Sequence, residues 1–246
     1  MCTLTVFQRQ GETIVTMNRD EADTREEAGE FLQENADPGQ RYWWPVDAVS
    51  HGTWFGVRGD GLVLALLNRY QGRGNAPRRS RGVIIPELLR TLAWSETDND
   101  DTGRSLPCRR SISQNQLSER NWQGFAPFDL VVVCGQQILQ CSWERDTMTI
   151  QTFATPFLLV SSSVDYEAST QVRRTAFDTF QQNFPDGTAE QIVAILHRQA
   201  HADNPSLGFQ MKRPGRRTRS ISQAVVGAGA PTTRYLPLSQ GQEPSR

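Results

Sequence analysis

The sequence predicts an α+β domain in which antiparallel strands form layered sheets and helices lie outside them. Three observations carry this. Strand-sized runs, alternating or continuously apolar, recur with hairpin-type turn signals between them. Helix-length patterns follow blocks of strands instead of alternating with single strands. No segment repeats at a solenoid period, the doubled Ser-Ile-Ser-Gln at 111–114 and 220–223 being a coincidence of composition.

The elements follow in order. Residues 3–8 alternate and are rich in β-branched side chains; Gly11 and Glu12 turn the chain, and residues 13–17 return as the second strand of a hairpin. The polar cluster Asn18-Arg19-Asp20-Glu21 follows directly. Residues 21–42 are acidic and irregular, with a turn at Asp37-Pro38-Gly39 and a short helix expected over part of 25–34. Gly59-Asp60-Gly61 is a hairpin turn leading into a buried strand, 62–67, that ends at Asn68. Residues 69–81 are Gly- and Arg-rich loop, 83–94 carry a helical apolar pattern, and 95–107 are an acidic loop. Residues 108–121 leave loop and second helix both open. Residues 128–134 and 138–143 form a hairpin around Gly135, continued by strands at 148–153 and 157–161. Helices are expected at 167–184 and 188–200, the second capped by Thr188 with Gln191 three residues on. Residues 217–238 hold up to two strands around the turn Gly227-Ala-Gly-Ala, and 240–246 read as a frayed tail. One domain over 1–246 is expected, since neither half holds a closed set of strands.

Composition removes several functions. A 37% hydrophobic and 22% charged chain of 246 residues can bury a core, and its net charge of −1 gives no general attraction for nucleic acid or anionic membrane. The longest apolar runs, 62–67 and 130–134, are far short of the roughly 20 residues that span a bilayer. Gln8, Arg9 and Gln10 interrupt the N-terminal apolar stretch before a secretory core could form, so a cytoplasmic location is expected. No two of Cys2, Cys108, Cys134 and Cys141 have C-x-x-C spacing, and the three histidines do not make a metal site. His197 and His201, four apart, read as helix-surface residues; Cys134 and Cys141 read as inert buried thiols.

Cys2 stands apart. It follows Met1 directly, and a residue this small permits removal of the methionine. The exposed residue would then carry both a thiol and an α-amine. With a pKa near 8, the amine can take the thiol proton and later return it to a leaving group. One residue supplies nucleophile and base, and the chemistry demands no metal or organic cofactor.

Met1-Cys2-Thr3-Leu4, the hairpin and Asn18-Arg19-Asp20-Glu21 resemble the start of the NRDE family, also called the Transport and Golgi Organisation family. The resemblance continues through Gly52-Thr53-Trp54-Phe55-Gly56-Val57, Leu66-Leu67-Asn68-Arg69-Tyr70, Ser80-Arg81-Gly82, Pro127-Phe128-Asp129-Leu130 and the stretch from Met211 to Ser220. That family in turn resembles the cysteine branch of the N-terminal-nucleophile hydrolases, such as choloylglycine hydrolases and acid ceramidase. The resemblance implies a four-layer αββα sandwich of two antiparallel sheets and hydrolysis of a non-peptide amide, on a small or lipid-like ligand. It implies Cys2 as nucleophile, Arg19 beside the thiol, where a cation favours the thiolate, and Asp20 or Glu21 as the acid. Asn68 matches the asparagine of the oxyanion hole, and Arg174, in preference to Arg173, the later active-site arginine. Many members carry Ser-Asn after the strand corresponding to 157–160, whereas this chain has Ser161-Ser162-Ser163, leaving Ser162 a shorter donor. Trp43, Trp44 and Trp54 lie near the site in sequence and are expected to line an apolar pocket. A binding or trafficking protein, concerned with secretory organisation or hydrophobic cofactors, is the alternative the family keeps open.

Overall fold

A computed structural model describes residues 2–34, 37–72, 79–96 and 110–238. The chain opens with β1 (Cys2–Arg9), β2 (Glu12–Ala22), β3 (Glu27–Gln33), β4 (Tyr42–Asp47), β5 (Phe55–Arg58) and β6 (Val63–Asn68). Helix α1 (Ile84–Thr91), the short pair β7 (Ser95–Glu96) and β8 (Arg110–Ser111), and α2 (Asn115–Ser118) come next. Strands β9 (Phe128–Cys134), β10 (Gln137–Glu144), β11 (Thr147–Phe153) and β12 (Phe157–Ser161) precede α3 (Tyr166–Asn183). Helix α4 (Ala189–Gln191) runs into a π-helix (Ile192–His197), and β13 (Lys212–Arg213), β14 (Arg216–Val226) and β15 (Thr232–Pro237) follow.

Two antiparallel sheets result. One has the order β12-β1-β2-β14, with β13 and β15 sharing the far edge of β14; the other runs β11-β10-β9-β6-β5-β4-β3. Alternation along the strands distributes the side chains to layers. Leu4, Val6, Val15 and Met17 of the first sheet meet Phe55, Val57, Val63, Val131 and Val133 of the second in the central core. Phe7 and Ile14 point the other way, onto α3 and the π-helix, where Phe7 stacks on Phe177 at 5.1 Å. Leu62, Leu64, Leu130 and Val132 pack outward against Ile84, Ile85, Leu88 and Leu89 of α1. Helices therefore cover both outer faces, and the architecture is the αββα sandwich. The β1–β2 hairpin has the expected pairing, from Thr3 opposite Asn18 to Gln8 opposite Thr13. No helix among the described residues is long and apolar enough to cross a membrane.

Three expectations are corrected. The helix expected within 25–34 is the edge strand β3: pairing with β4 and stacking of Phe31 on Trp44 at 4.1 Å outweigh the local helix formers. The pattern at 83–94 is helical only to Thr91, because Leu92 turns extended and Trp94 instead donates its indole N–H to Asp60 at 2.6 Å. His197 is not on a helix surface; it is wholly buried beneath β1 and β2. The capping box of Thr188 and Gln191 forms as expected, although the helix it opens tightens to one α-turn before widening into π geometry. The tail 240–246 and Cys108 lie outside the described residues.

Candidate active site

Cys2 begins β1, its Cα paired with Arg19 on β2 and with Ser161 on β12. Residues opposite one another in a ladder share a face, so Cys2 and Arg19 both face the second sheet. There a cleft of about 330 Å³ opens, lined among others by Cys2, Arg19, Asp20, Trp54, Asn68 and Arg81. Its wall depends on a close backbone approach. Thr53 donates its N–H to the Gly82 carbonyl at 3.0 Å, and a Cβ on Gly52 would fall 2.5 Å from the Gly82 Cα. Glycine is required at both positions.

Arg19 is locked. Its Nη2 donates to Asp47 Oδ2 at 2.6 Å, and its guanidinium lies 4.2 Å from the Trp54 ring. Asp47 also accepts from Arg25 Nε at 2.9 Å and from the Ser50 N–H at 2.7 Å. Burial alone would raise the Asp47 pKa, but the bonds from Arg25 and Ser50 and the charge of Arg19 carry it down to about 2. Arg19 thus reaches Cys2 already partly neutralised. Burial pushes the Cys2 thiol above its ordinary value, the Asp20 carboxylate adds to this, and Arg19 opposes it. The balance of these influences favours the protonated thiol.

Asp20 turns to the opposite face of β2, behind the nucleophile. Thr218 donates to its Oδ1 at 2.6 Å, and Arg173 Nη2 lies 3.5 Å from Oδ2, with both side chains of that ion pair fully buried. Arg173 also donates to the Thr3 hydroxyl and, from Nε, to the Leu207 carbonyl at 3.2 Å. Glu21 sits at the cleft mouth, half-buried, 3.5 Å from Arg216 and 3.9 Å from Arg19.

Asn68 closes β6 at the cleft. Its carbonyl accepts from the Ser161 hydroxyl, and its side-chain amide donates to the Tyr70 hydroxyl at 3.1 Å. Burial raises the Tyr70 pKa, so this phenol stays protonated at neutral pH and remains a donor itself.

The cleft therefore brings together the side chains of Cys2, Arg19, Asn68 and Trp54, whereas Asp20 borders it with its carboxylate turned into the helix layer behind. Four other expectations are corrected. Arg174 is exposed on α3, its guanidinium 5.5 Å from the Phe177 ring, and the buried arginine is Arg173. Trp43 lies in the central core and donates to Glu30 at 2.5 Å; Trp44 faces the other side of its sheet. Neither lines the cleft, because neighbours on a strand point to opposite faces. Ser162 is buried, its hydroxyl donating to the Val164 carbonyl within a tight turn, and it too is absent from the lining. Sequence reasoning missed Asp47, Tyr70 and Arg81. Nothing local marks Asp47, but Tyr70 and Arg81 lie within blocks already singled out. Among the described residues no group of three or more His, Cys, Asp or Glu side chains is placed to hold a metal ion.

Similarities to known proteins agree with this geometry. A Caenorhabditis elegans ortholog of N-acylethanolamine-hydrolyzing acid amidase superposes with a TM-score of 0.55 at 15% identity, over 90% of this chain and 92% of that one. The C2A mutant of conjugated bile acid hydrolase from Clostridium perfringens superposes with a TM-score of 0.51 at 7% identity, over 100% and 99% of the two chains. At such identities the likeness is one of fold alone. No curated protein matches the chain by sequence. The family model described as Transport and Golgi organisation 2 matches residues 1–230, nearly the whole chain, and the protein belongs to that family.

Proposed function

We propose that the protein is a cysteine amidohydrolase that cleaves a non-peptide amide with Cys2 as nucleophile. The observation that supports this most is the convergence of Cys2, Arg19 and Asn68 on one cleft. Removal of Met1 exposes the Cys2 α-amine. The amine takes the thiol proton and the sulfur attacks the amide carbonyl. The Asn68 amide N–H, fixed at the end of β6, donates to the oxyanion that forms. The α-ammonium then returns the proton to the departing nitrogen as the C–N bond breaks, leaving a thioester. Water, deprotonated by the same amine, attacks the thioester and releases the acid and the thiol. Asp20, held by Thr218 and Arg173 in the layer behind β2, fixes the strand that sets Arg19 beside Cys2. Because the thiol is raised by burial, Arg19 alone does not ionise it, and the α-amine carries the deprotonation.

The test is an amide panel run on wild type beside Cys2→Ala, with intact mass reporting whether Met1 is gone. Turnover lost in Cys2→Ala supports the reading. Equal rates, or a mature chain that keeps Met1, would sink it and leave a binding or trafficking role for the same fold.

A further inference from the structure

The cleft is polar and its charges do not balance. Among the described residues its lining contains four arginines, Arg19, Arg25, Arg79 and Arg81, and three acidic residues, Asp20, Glu21 and Asp47. Each carboxylate is already met by an arginine: Asp47 by Arg19 and Arg25, Asp20 by Arg173, and Glu21 by Arg19 and Arg216. Arg79 and Arg81 have no carboxylate within ion-pair distance among the described residues. Arg79 lies 4.1 Å over the Phe125 ring and donates to the Asn121 carbonyl at 3.3 Å, at the edge of the cleft. Arg81 is half-buried and spends one Nη1 donor on the Pro127 carbonyl at 2.8 Å. The rest of its fork has no partner among the described residues. Burial lowers its pKa, opposed by the fields of Tyr70 and Cys2, so these two groups lie within its electrostatic reach.

We infer that Arg81 is an anion subsite beside Cys2, and that the ligand is a small amide bearing a carboxylate or phosphate. This rests on the hydrolase reading of the same cleft and narrows its substrate. A half-buried guanidinium without a counter-ion gains most from a planar oxyanion that meets two of its N–H groups at once. The lipid-like ligand has less to meet. With Trp43 and Trp44 elsewhere, only Trp54, Leu66 and Ala126 among the described residues offer apolar side chains to the cleft. The positive surplus also attracts anions toward the nucleophile.

Alkylation of Cys2 tests this without any turnover. The probes are iodoacetate, an anion, and iodoacetamide, its neutral isostere, with the label located on the Cys2 peptide by mass. The iodoacetate-to-iodoacetamide rate ratio is expected to exceed that of a free cysteine peptide by about tenfold at low salt and to shrink as salt screens the charge. Arg81→Gln should lower the ratio about fivefold or more, and Arg81→Lys, which keeps the charge, should restore part of it. Protection of Cys2 by phenylacetate and by phenyl phosphate, compared with neutral phenylacetamide, separates carboxylate from phosphate. A ratio unchanged in Arg81→Gln, or anions that protect no better than phenylacetamide, overturns the inference. Should Cys2 label too slowly to read, calorimetric titration of phenylacetate into wild type and Arg81→Gln decides, equal affinities overturning it. Failures are distinguishable: charge-selective labelling without amide turnover removes the hydrolase reading alone, and turnover without charge selectivity removes the anion subsite alone.

Discussion

Replacing Arg173 by methionine should destabilise the protein severely, while replacing its neighbour Arg174 by alanine should not. Among the described residues Arg173 is the largest side chain to be fully buried, and the Asp20 carboxylate it faces is equally inaccessible. In Arg173→Met the apolar stem remains. Asp20 keeps its bond from Thr218 but loses its cation, and the Thr3 hydroxyl and Leu207 carbonyl each lose a donor. Stranding one partner of a buried ion pair costs about 3–5 kcal/mol, a large share of the roughly 5–15 kcal/mol that holds a domain folded. For a chain of this length that is on the order of 10 °C in Tm. Arg174 is exposed, with its guanidinium 5.5 Å over the Phe177 ring, so Arg174→Ala should stay within about 0.5 kcal/mol of wild type. Urea unfolding followed by tryptophan fluorescence reads all three proteins. Asp20→Asn combined with Arg173→Met removes the stranded charge and should recover about 2 kcal/mol of the loss. A single Arg173→Met variant within 1 kcal/mol of wild type, or a double variant no better than the single, would refute the assignment of this pair as a coupled buried charge.

Further outcomes follow from the same geometry. Gly52→Ala should cost about 1–3 kcal/mol, because its Cβ meets the Gly82 backbone at 2.5 Å and neither backbone segment can yield without moving the cleft wall; urea unfolding measures it. His197 is held at about 3 by burial and by the charge of Arg173, against an ordinary 6.5. The unfolded chain therefore binds a proton that the folded one refuses, so stability present above about pH 6.5 is lost as pH falls toward 3. NMR should show one imidazole that does not titrate between pH 5 and 8, and His197→Gln should flatten that part of the stability profile. In the amide assay Asn68→Ala should lower kcat and kcat/KM together by about 10²–10³-fold. A change confined to KM would mean that Asn68 binds the ground state instead.

What was legible in the sequence was what short-range patterning determines. The β1–β2 hairpin, the Gly135 hairpin and the pair β14–β15 all carry their own alternation and turn residues, and they form as read. Strand β3 was not legible because its residues favour helix locally and only pairing with β4, across an intervening turn, makes it a strand. Two errors in the site were readable with more attention to phase. Ser169, Arg173, Phe177 and Phe180 form one buried stripe at helical spacing, which puts Arg173 inside and Arg174 outside. Trp43 and Trp44, adjacent on a strand, could never have shared a pocket. Asp47 is different. It lies 28 residues beyond Arg19 at the end of β4, and only the packing of two sheets brings it within 2.6 Å.

The cluster Asn18-Arg19-Asp20-Glu21 gains its meaning from strand alternation. Arg19 and Glu21 look toward the cleft and its mouth, whereas Asn18 and Asp20 look into the helix layer behind. Asn18 donates from Nδ2 to the carbonyls of His197 and Phe209, which turns its own oxygen to His197 Nδ1 at 2.6 Å. The neutral ring thus carries its proton on Nδ1 and accepts at Nε2 from the Thr5 hydroxyl at 2.8 Å. Beside it, Thr3, Arg173 and Asp20 make a second buried polar set. Both sets bridge β1 and β2 to the covering helices, and both sit directly behind the residues that carry Cys2 and Arg19. An apolar layer would hold the helices as firmly, but it would tolerate sliding. Hydrogen-bonded groups that lose their partners on any shift do not. The polar backing therefore fixes the register of β1 against β2 at the end where Cys2 must meet the cleft, and half of the four-residue motif serves that placement, not the chemistry itself.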